Sequence, residues 1–385
     1  MKKILVNLPT LQHEKIIFAW LIIFKRFQSA GWEIHVNTGV FVKKLPLLDD
    51  IYDFDWLTKE EREQLEKGKT ASKPGFILHS LLRNLAIIGK SGSILKNNPD
   101  MIYTPSAVLD FVIYPWYLKL TGKKIKWVTT LANTVPVTDP GNKTLRFLAW
   151  LFFRISLFML KKADVVFVHT PEVMDYAIKW GFDKDRLVLT GVGIETDLIW
   201  EAQADPRRDI DALFIGRINE TKGIYDMLKV LDIVKKKYPC FQLAIMGEGD
   251  EVTERNYKKK IKEMRLENNV QFLGYVSGAE KFNIIKSSKC FWFLSVSQSE
   301  SFGIALLEAV SCGRPAFTYD LPHFSWIYTA GEIDASPKGD YGAVAQKVIR
   351  LFDGGIFENK EGKKLLGKYT WEEAAEKEYE VIEKL

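Results

Sequence analysis

The sequence is short of the residues that mark several large protein classes. It has three cysteines, Cys240, Cys290 and Cys312, an odd number without metal-ligand spacing. That argues against a disulfide framework or a zinc module, and the thiols are expected to be reduced and buried in a reducing compartment. Histidine is also scarce, at five residues. No apolar stretch reaches the ~18 to 20 residues that a membrane-spanning helix needs. The run Ile16 to Phe24 is flanked by Glu14, Lys25 and Arg26 and leads into a turn and strand, so it reads as part of the fold and not as a signal peptide. No G-x-G-x-x-G follows the first strand, which disfavours a nicotinamide dehydrogenase. No basic and aromatic nucleic-acid module is recognisable. Nor does an Asp-x-Asp follow a strand to hold a divalent ion: Asp53-Phe54-Asp55 comes close to the spacing but lies in an irregular acidic segment.

What remains is a chain of 385 residues, 47% hydrophobic and 27% charged. It exceeds the size at which one core stops growing, which predicts two domains. The composition is that of a soluble globular protein. A net charge of +5 fits attraction to an anionic ligand or a membrane surface, and by itself establishes neither.

Short apolar strand patterns alternate with helical ones, as in parallel sheets covered by helices. In the first half the predicted strands are 4–8, 34–37, 101–104, 126–130, 165–169 and 187–190. The polar segment 201–208 breaks the periodicity and reads as a linker. A second series follows at 212–215, 242–246, 270–273, 290–294 and 316–319. The expectation is an α/β protein of two doubly wound Rossmann-like domains facing a cleft, with ligands at the carboxyl ends of the strands. The boundaries read as 1–200, 201–368 and a terminal helix over 369–385.

The stretch from Leu294 to Pro315 organises the second half: L-S-V-S-Q-S-E-S-F-G-I-A-L-L-E-A-V-S-C-G-R-P. A strand end, a polar loop and a helix beginning near Phe302 are predicted, with Gly313 and Pro315 as the stop. The amides of Phe302, Gly303 and Ile304 would lack helical partners and could face an anion. Glu300 and Glu308 are eight positions apart, only ~80° around a helix axis, so both carboxylates look toward one side. Such a site could take a phosphate, a sugar hydroxyl at Glu300 and a ribose diol at Glu308.

The string from Glu300 to Pro315 resembles the signature of the retaining, nucleotide-sugar-dependent glycosyltransferases of family 4, which have the GT-B fold. Gly216-Arg217 with Lys222-Gly223 is similar to that family's G-R-x-x-x-x-K-G motif, whose Arg and Lys hold the donor diphosphate. The chemistry suits them, because breaking a sugar–phosphate bond builds negative charge that fixed cations stabilise most in the transition state. The resemblance further implies a donor-binding role for Gly216, Gly247, Gly274, Val276, Ser301, Phe302, Gly303, Ile304 and Glu308. Glu300, Arg217 and Lys222 would act on the reacting groups. It implies a metal-independent reaction without cofactor, by front-face attack, and a terminal helix that crosses back to the first domain.

The first 160 residues follow the family only in outline. Leu8 to His13 stands without glycine where many members have a Gly-rich loop, and Ala132 stands where members often have a histidine. Thr10, His13 and Asn133 are candidates on the acceptor or sugar side, as are His79 and His169, although histidines are often structural. The expected partners are a nucleotide-sugar donor and a glycan or lipid-linked acceptor, with no nucleic acid. A sugar-nucleotide epimerase or isomerase on the same fold, or a non-catalytic nucleotide-sugar-binding subunit, are the alternatives.

Residues 143–162 read K-T-L-R-F-L-A-W-L-F-F-R-I-S-L-F-M-L-K-K. On a helical wheel Lys143, Arg146, Arg154 and Lys161 fall within ~80° of arc, and nearly everything else is apolar. That apolar face is wider than a ~100° core-facing stripe. Either the helix is buried on most sides, or it also rests in a membrane interface. The expected location is cytoplasmic, with the second reading placing it at the inner face of the membrane.

Overall fold

The computed structural model describes residues 2–8, 18–38, 52–53, 73–139, 142–300 and 302–385. The chain divides into two compact units: 1–135, 147–193 and 371–385 form the first, and 136–146 and 194–370 the second. The polar segment 201–208 therefore lies inside the second unit, and the change of unit falls between Gly193 and Ile194. The backbone explains the position. Ile194 N donates to the Tyr369 carbonyl at 3.1 Å and Ile194 bridges Thr370, so the second unit is tied shut where the chain enters and leaves it.

The first unit holds a seven-stranded parallel sheet in the order β3-β2-β1-β4-β5-β6-β7. Its strands are β1 (Lys3–Leu8), β2 (Glu33–Thr38), β3 (Tyr52–Asp53), β4 (Met101–Thr104), β5 (Lys126–Leu131), β6 (Val165–Val168) and β7 (Leu187–Leu189). Near-continuous Val, Ile and Leu runs such as Ile4, Leu5 and Val6, all without exposure, are what a strand buried on both faces requires. The helices that matter below are α1 (Phe18–Ser29), α2 (Lys73–Gly89), α3 (Leu109–Leu120) and α4 (Lys143–Leu160).

The second unit holds a six-stranded parallel sheet in the order β10-β9-β8-β11-β12-β13. Its strands are β8 (Ala212–Ile215), β9 (Leu243–Met246), β10 (Val270–Gly274), β11 (Cys290–Phe293), β12 (Ala316–Tyr319) and β13 (Asp334–Ser336). Helices α5 (Ile224–Val234), α6 (Gly278–Ser287) and α7 (Ile304–Ser311) carry its functional loops. Strands β3 and β13 escape a hydrophobic-pattern reading because they are two and three residues long and β13 has two exposed residues of three.

The last helix, α8 (Trp371–Glu383), belongs to the first unit and packs on α1. Ala375 and Ile382 join a core with Ile4, Val6, Phe24 and Phe27. Arg26 forks onto Glu376, and its guanidinium lies 3.7 Å from the Tyr379 ring centre. Tyr103 Oη donates to Glu378 Oε2 at 2.7 Å, with both residues buried. Desolvation pushes the Glu378 carboxyl up to about 8, against the opposing effect of the Tyr103 hydrogen bond. Of the cysteines, Cys290 and Cys312 are buried as expected and Cys240 is exposed. Burial raises both buried thiols, Cys312 to about 12, which makes them poor nucleophiles.

Candidate functional site

In the second unit the strand order reverses between β8 and β11. Ligands of open parallel sheets bind at the carboxyl ends beside such a reversal. The residues following those strands converge there.

Three glycines form the floor. Gly216 N donates to the Met246 carbonyl at 3.0 Å, and Gly247 N to the Gly274 carbonyl at 2.8 Å. Gly247 has φ +140°, and a Cβ there would lie 2.1 Å from the Gly216 carbonyl oxygen. Only glycine lets the loops after β8 and β9 touch backbone to backbone. Gly274 has φ +68° and open space around it. Beyond it Tyr275 is exposed and Val276 half-buried.

Lys222 is fixed by a turn that locks onto the end of β11. The Asn219 side chain caps Thr221 N at 2.9 Å, and the Thr221 carbonyl accepts from Val296 N at 2.9 Å and Ser295 Oγ at 3.0 Å. Gly223 then starts α5 in the left-handed region, where a Cβ would lie 1.8 Å from the Leu294 carbonyl oxygen. So placed, Lys222 Nζ donates to Glu300 Oε1, which also accepts from Ser295 Oγ at 3.1 Å. Glu300 Oε2 has no donor among the described residues. Arg217 is exposed and pairs with no carboxylate among the described residues.

The helix carrying Glu308 begins later than the pattern predicts. It starts at Ile304, with Gly303 as its N-cap at φ +66°. Glycine readily takes that left-handed conformation, which cannot belong to the helix, so Phe302 stays outside it. The Gly303 carbonyl accepts from Leu306 N at 2.8 Å and Leu307 N at 3.0 Å. The amides of Phe302, Gly303, Ile304 and Ala305 have no acceptor among the described residues. Phe302 keeps its amide in the site while its buried ring packs edge-on against Trp326 and Tyr369. Ser301, expected among the donor-binding residues, lies outside the described residues.

Glu308 is buried, at 6% exposure. Its Oε1 accepts from Lys281 Nζ at 2.8 Å, and Lys281 also donates to Glu195 Oε2 at 3.1 Å. Burial pushes the Glu308 carboxyl up, opposed by the Lys281 charge. For Lys281 burial opposes the charge, yet the two carboxylates outweigh it and raise its pKa. Glu308 Oε2 has no donor among the described residues.

Three residues of the site carry no local sequence signal. Lys281 and Glu195 are distant charges with no pattern linking them to Glu308. Asp139, in the segment that joins the second unit, is buried and grips the loop before Glu300. It accepts from Gln298 N at 2.9 Å, Ser297 Oγ at 2.5 Å and Ser299 Oγ at 3.4 Å. The string Thr138-Asp139-Pro140-Gly141 signals only a turn.

In the first unit Asn133 is exposed just past β5, next to half-buried Ala132. His169 follows β6, and desolvation lowers its pKa to about 4, so the ring is neutral at physiological pH. Thr10 and His13 lie outside the described residues.

Two family models match adjoining parts of the chain: Glycosyltransferase Family 4 over residues 48–198 and Glycosyl transferases group 1 over residues 197–365. An uncharacterised glycosyltransferase of Methanocaldococcus jannaschii is 32% identical over 328 residues, covering 78% of this chain and 77% of the relative. The chain belongs to glycosyltransferase family 4. A phosphatidyl-myo-inositol mannosyltransferase of Mycobacterium leprae is 30% identical over 183 residues, and the match spans 46% of this chain and 47% of the relative, about half of its length. A GDP-mannose:cellobiosyl-diphosphopolyprenol alpha-mannosyltransferase of Xanthomonas campestris is 29% identical over 37% of each chain.

Among solved structures, sucrose-phosphate synthase of Thermosynechococcus elongatus superposes with a TM-score of 0.72 at 17% identity, covering 100% of this chain and 99% of the other. The Anabaena protein HepE in complex with UDP and glucose gives 0.71 at 12% identity, with both chains fully covered. These likenesses establish the family's two-domain GT-B fold.

Proposed function

We propose that this family 4 protein is a retaining glycosyltransferase that moves a sugar from a nucleoside-diphosphate donor to a glycan or lipid-linked acceptor. The reading rests above all on Lys222 meeting Glu300 beside four amides that have no acceptor among the described residues, at the strand-order reversal of the second unit. In this reading Arg217, Lys222 and the amides of Phe302 to Ala305 hold the diphosphate. Arg217 presents a planar fork and Lys222 a point charge, so the two are not interchangeable. Glu300 orients the donor sugar, the free oxygen of Glu308 takes the ribose diol, and the turn at Gly274 to Val276 meets the nucleobase.

The bond from the sugar's anomeric carbon to the diphosphate breaks as the acceptor hydroxyl oxygen bonds to the same face. The hydroxyl proton passes to the departing phosphate oxygen, so no side-chain nucleophile and no metal is required. Cations and amides preorganised where charge builds up lower that barrier.

A lipid-linked acceptor is favoured by α4. Phe147, Leu151, Ile155 and Phe158 are all exposed and fall within ~80° of one another on the helix wheel. Lys143, Arg154 and Lys161 run beside this row on the same wheel. Burial therefore accounts for only the opposite row of Phe153, Leu157 and Leu160. Such a face suits the interface of an anionic membrane. The relatives from Mycobacterium leprae and Xanthomonas campestris carry phosphatidyl and polyprenol groups in their names.

The deciding experiment is calorimetric titration with UDP, GDP and ADP, alongside Arg217→Ala and Glu308→Ala. Selective binding of one nucleotide, weakened in both variants, supports the donor site, and absence of binding by all three refutes it. Turnover with the matching nucleotide sugar separates a transferase from a binding subunit, and conversion without acceptor would indicate an epimerase.

A further inference from the structure

The first unit contains a cavity of about 620 Å³ that the donor chemistry does not use. It lies among α2, α3, α4 and the carboxyl ends of β4 and β5. Its wall is almost wholly hydrocarbon, supplied by Leu109, Ile113, Val135, Phe152, Phe153 and Met159. The volume falls in the range of small-molecule sites, roughly 300–1,000 Å³.

The polar side chains of the wall are Ser80, Ser106, Asp110, Asn133 and Ser156, and the Ser156 hydroxyl is spent on the Phe152 carbonyl at 3.1 Å. Ser106 and Asn133 stand where β4 and β5 end, the edge at which open parallel sheets bind polar ligands. Ser80 and Asp110 also reach the wall, but they face each other. Ser80 Oγ and Asn84 Nδ2 donate to Asp110 Oδ1, and Arg83 donates to Asp110 Oδ2 at 3.1 Å. Both Asp110 oxygens are therefore occupied and have little left to offer a polar ligand, while Asn84 Oδ1 is buried without a partner among the described residues. Ala132 completes the wall beside Asn133 without a polar atom.

The rim joins two exposed apolar rows. Leu81 lines the cavity and is exposed, as are its α2 neighbours Leu82 and Leu85, the last at 63%. Ile155 likewise lines the cavity and belongs to the α4 row that ends at Phe158, 66% exposed. A hydrocarbon ligand could thus pass from an apolar surface to an apolar cavity and keep its head at the sheet edge. A compact sugar would leave its hydroxyls unpaired against such walls, at a cost of ~1–3 kcal/mol per buried polar group.

From this we infer that the cavity holds the hydrocarbon chain of an amphiphilic acceptor, with its head at Ser106 and Asn133 and its far end at the Leu81–Ile155 rim. The inference rests on the transferase reading only in naming the ligand as acceptor. Its physical content is a chain-binding site in the first unit.

The test uses farnesyl phosphate and dodecyl phosphate below their critical micelle concentrations, with inorganic phosphate as control. Titration calorimetry is run on the full chain and on Ala149→Trp, which places a large ring at an exposed position of the wall. A second variant, Ala107→Met, narrows the cavity from α3's side with a flexible side chain. The wild type should bind at least one amphiphile and not inorganic phosphate, and both variants should weaken it tenfold or more. Preference between the two probes distinguishes an isoprenoid from an acyl chain. Nucleotide binding should remain at the wild-type level in both variants, so failure of the donor site and failure of this cavity are read separately. The inference is overturned if neither amphiphile binds the wild type, or if both variants bind them as tightly as the wild type does.

Discussion

Lys222 and Glu300, seventy-eight positions apart, meet across the strand-order reversal of the second unit, where the lysine donates to Glu300 Oε1. Glu300 Oε2 has no donor among the described residues, and in the proposed reading it is the oxygen that meets the donor sugar. Replacing Glu300 with Gln preserves shape and removes charge. Glu300→Gln and Arg217→Ala should each lower turnover by about 10²–10³-fold, as loss of a preorganised electrostatic contact does. Thermal unfolding should be little changed. Steady-state kinetics of both variants checks this, and near wild-type rates in both would remove the assignment.

Gly247 and Gly274 make different demands on the backbone. An added methyl at Gly247 meets the Gly216 carbonyl oxygen, whereas one at Gly274 meets nothing within 4 Å. Gly274→Ala should therefore cost only the left-handed penalty, about 1–2 kcal/mol. Gly247→Ala should cost more and weaken nucleotide binding as well. Denaturant titration and calorimetry rank the two, and equal losses would contradict the close approach.

Asp139 touches no expected ligand group, so its role is to position the loop that carries Glu300. Asp139→Asn turns an acceptor toward Ser297 and Gln298 into a group with fewer acceptor sites. The donor KM should rise and turnover fall, between about ten- and hundredfold, because small misplacements of reacting groups are expensive. The double variant with Glu300→Gln should fall little further than Glu300→Gln alone. Full additivity would show that Asp139 does not act through this loop.

Glu378 makes a prediction about pH. Its carboxyl titrates at about 8 in the fold against an ordinary value of 4.5. Folding therefore takes up a proton between those values, and the stability of the first unit falls as pH rises through that window. Glu378→Gln has no charge to bury. It should melt several degrees above the wild type at pH 8.5, with the difference shrinking toward pH 4.5. A difference independent of pH would show that Glu378 is ionised in the fold.

Much of this arrangement is legible before any coordinates, because it is local. Strands β4, β8 and β12 have the predicted bounds, since buried parallel strands are short apolar runs closed by polar or glycine residues. The string from Glu300 to Glu308 marks its own loop and helix. The helix starts two residues later than the pattern predicts because glycine is compatible with either side of a helix boundary, and only the left-handed backbone of Gly303 decides.

Local pattern alone specifies the alternation of strands and helices, the family, and the residue types at the carboxyl ends of β8 and β11. Tertiary structure decided which charges meet. Lys281 lies between Glu308 and Glu195, Asp139 within the second unit holds residues 297–299, and one row of α4 is exposed. The reason is physical: periodicity records which face of an element is apolar, whereas pairing between distant side chains depends on sheet order and loop path, which no local pattern encodes.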